Sequence, residues 1–278
     1  MSAILSSPPD TSNGFAERYG IPADALAPAN AVIEGLLGHR SVRAYSDKPV
    51  PAGTVEQMLA AAQSASSSSN LQLWSVVQVS DPARRQRLSE VGAGQKYIAS
   101  APLFLVWLAD LSRAERVGQG QGVAMDGLAF TESFLMGVVD AALAAQNAAV
   151  AAESLGLGVV YIGGMRNDPV RVAQELGLPP KVMAVFGMCV GWPDPARPAA
   201  VKPRLPQSAV LHQEQYGAPA EADHIAAYDA ALHRFQDGQG MTRQGWTPQQ
   251  VSRLRSGASL GTRHALRDAI HQLGFELK

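Results

Sequence analysis

The sequence predicts a domain of the α/β or α+β class, in which helices cover a central sheet. Segments with helical periodicity alternate along the chain with short apolar segments typical of buried strands. The chain has 278 residues, of which 46% are hydrophobic and 17% are charged. It is therefore long and apolar enough to bury a large core without metal or disulfide support. No fixed-period repeat and no coiled-coil heptad pattern is present.

A polar leader of about thirty residues precedes the first strong pattern. Within it, residues 15–19 could form a short helical turn. Helical spacing then predicts a helix that begins at Ala31 and stops at Gly38, a residue suited to the left-handed position after a helix. A second helix is predicted after Thr54, which serves as its N-cap. That helix leads into four consecutive serines, residues 66–69.

Four short apolar stretches predict the strands, and helices separate them. The strands are predicted at residues 73–79, 101–109, 159–162 and 182–190. A helix is predicted at residues 83–91, and residues 118–122 are interpreted as a flexible glycine-rich connector. Another helix follows Asp168-Pro169, where the aspartate caps the helix and the proline takes its first position.

The longest helical pattern runs from Thr131 to Leu155, is apolar on nearly every face and is closed by Gly156. We expect this helix to be buried all round, as a central or interface helix. The charged fraction of 17% is low against a typical value of about 25%. A subunit interface would account for both observations.

Composition and charge argue against several functional classes. The net charge of -1 and pI of about 6.6 oppose a broad nucleic-acid surface, although residues 241–278 contain six Lys or Arg against two acidic residues. One cysteine, Cys189, excludes an internal disulfide and fits a reducing compartment. No signal peptide and no membrane-spanning run is recognised. We therefore expect a soluble cytoplasmic protein with neither a nucleic-acid nor a membrane partner.

Familiar catalytic signatures are missing. There is no Walker A loop, dinucleotide fingerprint or nucleophile elbow. The histidines form no zinc motif, and a metal role for the pair His264 and His271 is disfavoured. The sequence therefore predicts no metal site, whereas spacing alone leaves a Ser-His-Asp arrangement open.

Four polar elements instead stand at loop positions: His39 to Arg43, Ser66 to Ser69, Tyr161 to Gly164, and Lys202 to Arg204. Arginine forks such as those of Arg40 and Arg43 suit a phosphate, and a glycine pair lets a flat ligand approach the backbone. Each element has an ordinary alternative, namely a solvated turn, a serine linker, a simple turn or an exposed charge pair. Together they predict a site for a flat, phosphate-bearing molecule.

These segments resemble one family. Five segments occur in the order and spacing of that family: His39-Arg40-Ser41-Val42-Arg43, Ser66-Ser67-Ser68-Ser69, Gly94-Gln95-Lys96, the run from Tyr161 to Asn167, and Lys202-Pro203-Arg204-Leu205-Pro206. The family is that of the NADPH-dependent, oxygen-insensitive nitroreductases and flavin reductases, in its major-nitroreductase branch. The match covers roughly residues 31–216 and continues more loosely to the C-terminus.

The resemblance implies a nitroreductase-like α+β fold: a mixed, mostly antiparallel central sheet flanked by helices, in an intertwined homodimer with FMN at the subunit boundary. It implies a ping-pong reaction in which NADPH reduces FMN and small-molecule electron acceptors then reoxidise it. Nitroaromatics, quinones and flavins are the expected acceptors. Because hydride transfer occurs at flavin N5, no catalytic side chain is required.

The resemblance also assigns site residues. His39, Ser41, Arg43, Lys202 and Arg204 look like the residues that hold the FMN phosphate and ribityl chain, and Arg40 and Tyr161 are included in the cofactor-binding set. Ser67, Ser68, Ser69 and Gln95 resemble the lining of the flavin ring and acceptor pocket, and Ile162, Gly163 and Gly164 the backbone contacts near N5. Arg43 is the candidate for electrostatic support of the reduced ring.

For NADPH, the basic C-terminal region offers cations to the 2′-phosphate. Arg243 is the best match, and Arg253, Arg255 and Arg263 are weaker alternatives. The chain is divided into an N-terminal extension (1–30), an FMN-binding core (31–216) and a C-terminal excursion (217–278) that contributes to dimer and NADPH binding. Asn70 departs from the family pattern and could change acceptor preference. A reductive dehalogenase, an enoate-type reductase and a non-catalytic flavin-binding or redox-sensing module remain alternatives.

Overall fold

The computed structural model describes residues 12–20, 29–217 and 221–278 of the chain. These residues divide into two compact units. The sheet unit consists of Ser41–Pro198 and Leu260–Lys278, and the helical unit consists of the described residues of Met1–Arg40 and Ala199–Ser259. Of the predicted N-terminal extension (1–30), residues 1–11 and 21–28 lie outside the described residues.

The sheet unit is built on four antiparallel strands: β1 (Trp74–Gln78), β2 (Leu103–Asp110), β3 (Gly158–Ile162) and β4 (Val182–Gly191). Their order is β1-β2-β4-β3, so β1 and β3 form the two edges. An isolated parallel bridge joins Ser41 to Val159. The four predicted strands and the α+β class with a mostly antiparallel sheet are thus confirmed.

The central strands are buried because both faces of the sheet are covered. Along β2, Phe104 and Val106 pack into a cluster with Leu88, while Leu105 and Trp107 enter the cluster on the opposite face. This alternation follows from the two-residue period of a strand. A continuous apolar run is therefore the expected sequence of a strand covered on both sides.

The helices of the sheet unit flank this core. They are α3 (Thr54–Gln63), α4 (Pro82–Val91), α5 (Tyr97–Ser100), α6 (Ser112–Gly120), α7 (Thr131–Ser154), α8 (Pro169–Leu176) and α11 (Leu266–Gln272). As predicted, Asp168 caps α8 by accepting from the N–H of Arg171 at 3.0 Å. The predicted cap at Thr54 is wrong by one residue, because Gly53 is the N-cap. The predicted connector at residue 118 is also wrong, because Gly118 lies inside α6.

Helix α7 has one covered and one open face. Its alanines, such as Ala141 and Ala145, are fully buried. By contrast, Leu135, Val139 and Leu143 are 53%, 46% and 43% exposed, respectively. The expectation of burial all round is therefore wrong for the single chain. By length and composition alone α7 could cross a membrane, but it packs on the sheet as a core helix.

The helical unit contains α1 (Ser12–Tyr19), α2 (Ala31–Leu37), α9 (Glu221–Gly238) and α10 (Trp246–Leu254). Helix α1 confirms the helical turn predicted in the leader. Asn30 caps α2 by accepting from two backbone N–H groups, and Gly38 follows α2 with φ of -76°. The predicted left-handed conformation of Gly38 is therefore wrong.

Candidate active site

The loop after β3 and the loop after α4 touch through their backbones. A Cβ on Gly164 would lie 2.8 Å from Cα of Gly92, a distance that real Cβ atoms do not reach. The Asn167 side-chain amide also donates to the carbonyl of Val91 at 2.9 Å. These contacts place the loop that carries Gln95 against the predicted glycine pair, Gly163-Gly164.

Gln95 carries a buried polar atom without a hydrogen-bond partner among the described residues. Its Oε1 is buried and has no hydrogen bond from any residue in the described part of the chain. Its main-chain carbonyl is fixed separately, by the hydroxyl of Ser89 at 3.0 Å. Leaving a buried acceptor unsatisfied costs about 1–3 kcal/mol. Such an atom is suited to accept an N–H from a ligand.

Two guanidinium groups flank the same glycine pair. A Cβ built on Gly163 would lie 3.5 Å from Arg166 Nη2 and 3.8 Å from Arg263 Nη1. Asn167 Oδ1 holds Arg263 by accepting from its Nε at 2.8 Å. Burial lowers the pKa of Arg166, which still donates to the carbonyl of Val185. The structure thus places Arg263, considered from sequence only for NADPH, beside Gly163.

Tyr161 and Ile162 contribute their main chain rather than their side chains to the surroundings of Gly163-Gly164. The Tyr161 hydroxyl donates to Gln146 Oε1 at 3.2 Å, and its ring packs edge-on against Phe186. Burial raises the pKa of Tyr161, so the hydroxyl stays protonated. Ile162 is buried in the core. The end of β3 is therefore rigid, which keeps the glycine pair in place.

The serine loop, residues 66–73, is tied to α7 by the buried carboxylate of Asp140. Asp140 accepts from the Ser67 hydroxyl at 2.7 Å, the Ser68 N–H at 3.1 Å and the Leu73 N–H at 3.0 Å. The Ser67 oxygen also accepts from the N–H of Gln72 at 2.8 Å. The Ser67 hydroxyl thus stabilises the loop itself, while Ser68 and Ser69 are exposed.

Backbone strain also marks the serine loop. Ser69, Asn70 and Gln72 have φ of 48°, 56° and 52°, a region that side chains other than glycine rarely adopt. Strained residues persist where the surroundings fix them, and they cluster at functional sites. Sequence reasoning missed Asp140, although it was a visible signal: it is the one acid in the apolar interior of α7, whose other acids, Glu132 and Glu153, stand near the helix ends.

One chain does not bring all the predicted ring-pocket residues together. The serine loop leads into β1, and the glycine pair follows β3, on the opposite edge of the sheet. With neighbouring strands about 4.8 Å apart, the two edges are separated by roughly 14 Å. The loop that carries Gln95 contacts Gly164 through Gly92, whereas the serine loop lies at the other edge of the sheet.

The predicted phosphate-binding residues are distributed over both units. In the sheet unit, Ser41 bridges to β3, and exposed Arg43 donates to the carbonyl of Ser41 at 3.4 Å. In the helical unit, Arg40 and Arg204 donate to carbonyls close in sequence. Among the described residues, no carboxylate forms a salt bridge with these three arginines.

Within the helical unit, the two basic segments meet at Arg18. Its guanidinium donates to the carbonyl of His39 at 2.9 Å and to that of Lys202 at 3.5 Å. Sequence reasoning missed Arg18 because the leader shows little periodicity. Arg243, the predicted NADPH contact, is exposed in the turn between α9 and α10.

Comparison with known proteins gives a consistent result. The nitroreductase family model matches residues 36–192, and the model of the nitroreductase family C-terminal domain matches residues 202–278. An oxygen-insensitive NADPH nitroreductase of Salmonella typhimurium is 45% identical over 73% of this chain and 81% of its own length. An FMN reductase (NADPH) of Bacillus subtilis is 35% identical over 88% of this chain and 98% of its own.

Solved structures agree. The NADPH:FMN oxidoreductase from Vibrio harveyi, determined with NAD+, superposes with a TM-score of 0.79 at 35% identity. The match covers 90% of this chain and 100% of the Vibrio harveyi chain. Nitroreductase A from Vibrio parahaemolyticus gives a TM-score of 0.80 at 37% identity, with the same coverage.

Proposed function

The chain belongs to the nitroreductase family, and we propose that it uses NADPH and bound FMN to reduce small electron acceptors such as nitroaromatics, quinones or flavins. The names of its relatives support this activity. The observation that carries the proposal is the buried Oε1 of Gln95, which no described residue satisfies, in the loop whose Gly92 packs against Gly164. A flavin ring carries an N–H group that can donate to this acceptor.

The residues present fit FMN. Gln95 would accept from a ring N–H, and the main chain of Gly163, flanked by the Arg166 and Arg263 guanidinium groups, would lie near the ring. His39, Arg40, Ser41, Arg43, Lys202 and Arg204 would hold the phosphate and ribityl chain, because guanidinium and ammonium groups form charge-assisted hydrogen bonds with phosphate. When bound, FMN supplies the hydride acceptor and donor chemistry.

Cations of the chain supply electrostatic support. Arg43 is our candidate for stabilising negative charge on the reduced ring, and Arg263, held by Asn167 beside Gly163, is a second. Arg43→Ala should weaken FMN binding and slow flavin reduction by NADPH in stopped-flow measurements. Unchanged affinity and rate would exclude Arg43 from this role.

Arg243 is proposed to bind the 2′-phosphate of NADPH. Its location in an exposed turn of the basic C-terminal region supports this assignment. Arg243→Ala should lower kcat/KM for NADPH while leaving that for NADH within about twofold. Arg253→Ala and Arg255→Ala test two of the weaker alternatives in the same way, since both remove an exposed arginine from the same region. A preference for NADPH that survives in Arg243→Ala would refute the assignment.

A homodimer with shared FMN sites is also proposed. Two observations support it: the exposed apolar stripe Leu135, Val139 and Leu143 on α7, and the separation of the serine loop from Gln95 on opposite sheet edges. A second chain could cover the stripe and bring its serine loop to the first chain's glycine pair. Leu143→Glu should produce monomers in light scattering with weakened FMN binding, and a Leu143→Glu dimer with normal affinity would contradict this.

The domain assignment, with residues 31–216 binding FMN and residues 217–278 contributing to the dimer and to NADPH binding, is part of the same proposal. A cytoplasmic location is proposed too, because the one thiol, Cys189, is free and buried, as suits a reducing compartment.

Steady-state NADPH oxidation with a panel of acceptors tests the activity. Rapid turnover with nitroaromatics, quinones or free flavins is expected. Turnover confined to halogenated aromatics or to enoates would instead identify another reductase of this fold. Slow turnover with every acceptor, despite bound FMN, would indicate a binding or sensing module.

A further inference from the structure

Helix α1 carries a buried arginine that contacts two distant segments of the helical unit. Arg18 is 7% exposed. Its Nη2 donates to the carbonyls of Leu37 at 2.7 Å and His39 at 2.9 Å, and its Nη1 donates to that of Lys202 at 3.5 Å. The N–H of Arg204 in turn donates to the Arg18 carbonyl at 2.9 Å. Arg18 thus joins the backbone before Arg40 to the backbone of the Lys202–Arg204 segment.

Contacts of residues near Arg18 hold α1 close to the end of α2. A Cβ on Gly14 would lie 3.2 Å from the carbonyl carbon of Leu37, so α1 passes close to the end of α2. Phe15 is 4% exposed, and its ring packs at a tilt against the ring of Tyr19, with the centroids 4.8 Å apart. Burial of an aromatic ring provides the free energy that keeps a short N-terminal helix docked.

The guanidinium group is suited to this task. It is a rigid planar fork with five N–H donors, so it can bond carbonyls of two segments at once and fix their separation. Lysine has a single flexible ammonium group and cannot reproduce this geometry. Arg18 also lies outside both family matches, which begin at residues 36 and 202.

We propose that Arg18 is a positioning residue for the phosphate of FMN. It fixes the main chain from which His39, Arg40, Lys202 and Arg204 project, so that these side chains are ordered before the phosphate arrives. Preordered groups bind more tightly because less conformational entropy is lost on binding. This inference rests on the proposed function, since it assumes that FMN is the ligand.

The test compares FMN with riboflavin, which has the same ring and ribityl chain but no phosphate. Dissociation constants are measured by flavin fluorescence with full-length wild type, Arg18→Ala and Arg18→Lys, after removal of bound flavin. We expect both variants to bind FMN about tenfold more weakly, because the phosphate-binding side chains are then ordered only on binding and the conformational entropy they lose weakens affinity. Riboflavin affinity should change by less than about twofold.

Arg85→Ala is the matched control. Arg85 is equally buried, at 9% exposure, and donates to the carbonyls of Val79, Ala101 and Pro102 in the sheet unit. Its loss should lower stability without a selective loss of FMN affinity over riboflavin affinity. The same selective loss in Arg85→Ala would show that affinity follows stability, and would overturn the proposal.

The remaining outcomes are distinct. Arg18 variants with wild-type FMN affinity, or with equal losses for FMN and riboflavin, would refute the positioning role. If Arg18→Ala does not fold, Arg18→Lys keeps the charge and the aliphatic stem and decides the question alone. Wild-type protein that binds no FMN would refute the proposed function instead.

Discussion

The serine loop offers a quantitative prediction through Asp140. The Oδ2 atom of Asp140 accepts from the Ser67 hydroxyl and the Leu73 N–H, and Oδ1 accepts from the Ser68 N–H. Asp140 is 1% exposed. In Asp140→Asn, the side chain keeps one oxygen that can accept, and the other oxygen is replaced by an NH2 group, which can only donate. At least one of the three donors of the loop then faces this NH2 group and loses its hydrogen bond.

The best arrangement in Asp140→Asn keeps the bonds to Ser67 and Leu73 and leaves the Ser68 N–H unsatisfied. The Ser68 N–H is only part-buried, so leaving it unsatisfied costs about 1 kcal/mol, the lower end of the range for a buried donor, and the loss of charge from the two remaining bonds adds about 1 kcal/mol. The expected decrease in the free energy of unfolding is therefore about 2 kcal/mol.

Urea denaturation followed by tryptophan fluorescence measures this decrease, with an unchanged slope as evidence that the unfolding reaction is the same. Asp168→Asn is the matched control. There the carboxylate caps α8 through one bond to the N–H of Arg171, and asparagine is an equally good N-cap. A loss under about 1 kcal/mol in Asp140→Asn, or an equal loss in Asp168→Asn, would refute the argument.

Other positions give further predictions. Gly164→Ala should lower stability by about 1–3 kcal/mol in urea denaturation, because its Cβ meets Gly92 at 2.8 Å. Gly127→Ala, with open space around it, should be neutral; equal effects would contradict this. Burial raises the pKa of Cys189 to about 12, so maleimide at pH 8 should label only unfolded protein. For Asp110, burial alone would raise the pKa, but serine hydroxyls and an arginine lower it overall. Its stabilisation is therefore present above about pH 4 and lost as pH falls further. Asp110→Asn should weaken the acid dependence of the unfolding midpoint, and an unchanged dependence would argue against this.

The strands and several helix ends could be predicted from sequence because local chemistry determines them. Continuous apolar runs such as 182–190 have a stable place only in a sheet covered on both faces. Asp168-Pro169 combines a cap with a residue preset for the first helical turn. Helix α6 was missed because glycine was interpreted as a breaker, whereas burial of Gly118 in tertiary packing decides its conformation.

The candidate site could be predicted only in part, because its supporting residues act across long distances in sequence. Asp140 binds a loop about seventy residues earlier, and Arg18 contacts a carbonyl 184 residues away. Neither residue has a periodic or motif signal. The open face of α7 was wrongly expected to be buried because an apolar face looks the same in sequence whether its own chain or a second copy covers it.

The central claim, that this chain binds FMN and passes electrons to it from NADPH, is tested most directly by a visible absorption spectrum. Purified protein reconstituted with FMN is recorded before and after addition of NADPH under anaerobic conditions. We expect the spectrum of bound oxidised flavin, followed by rapid and complete bleaching and by recovery when an acceptor is added. Protein that cannot be reconstituted with FMN, or bound flavin that NADPH does not bleach, would contradict the claim.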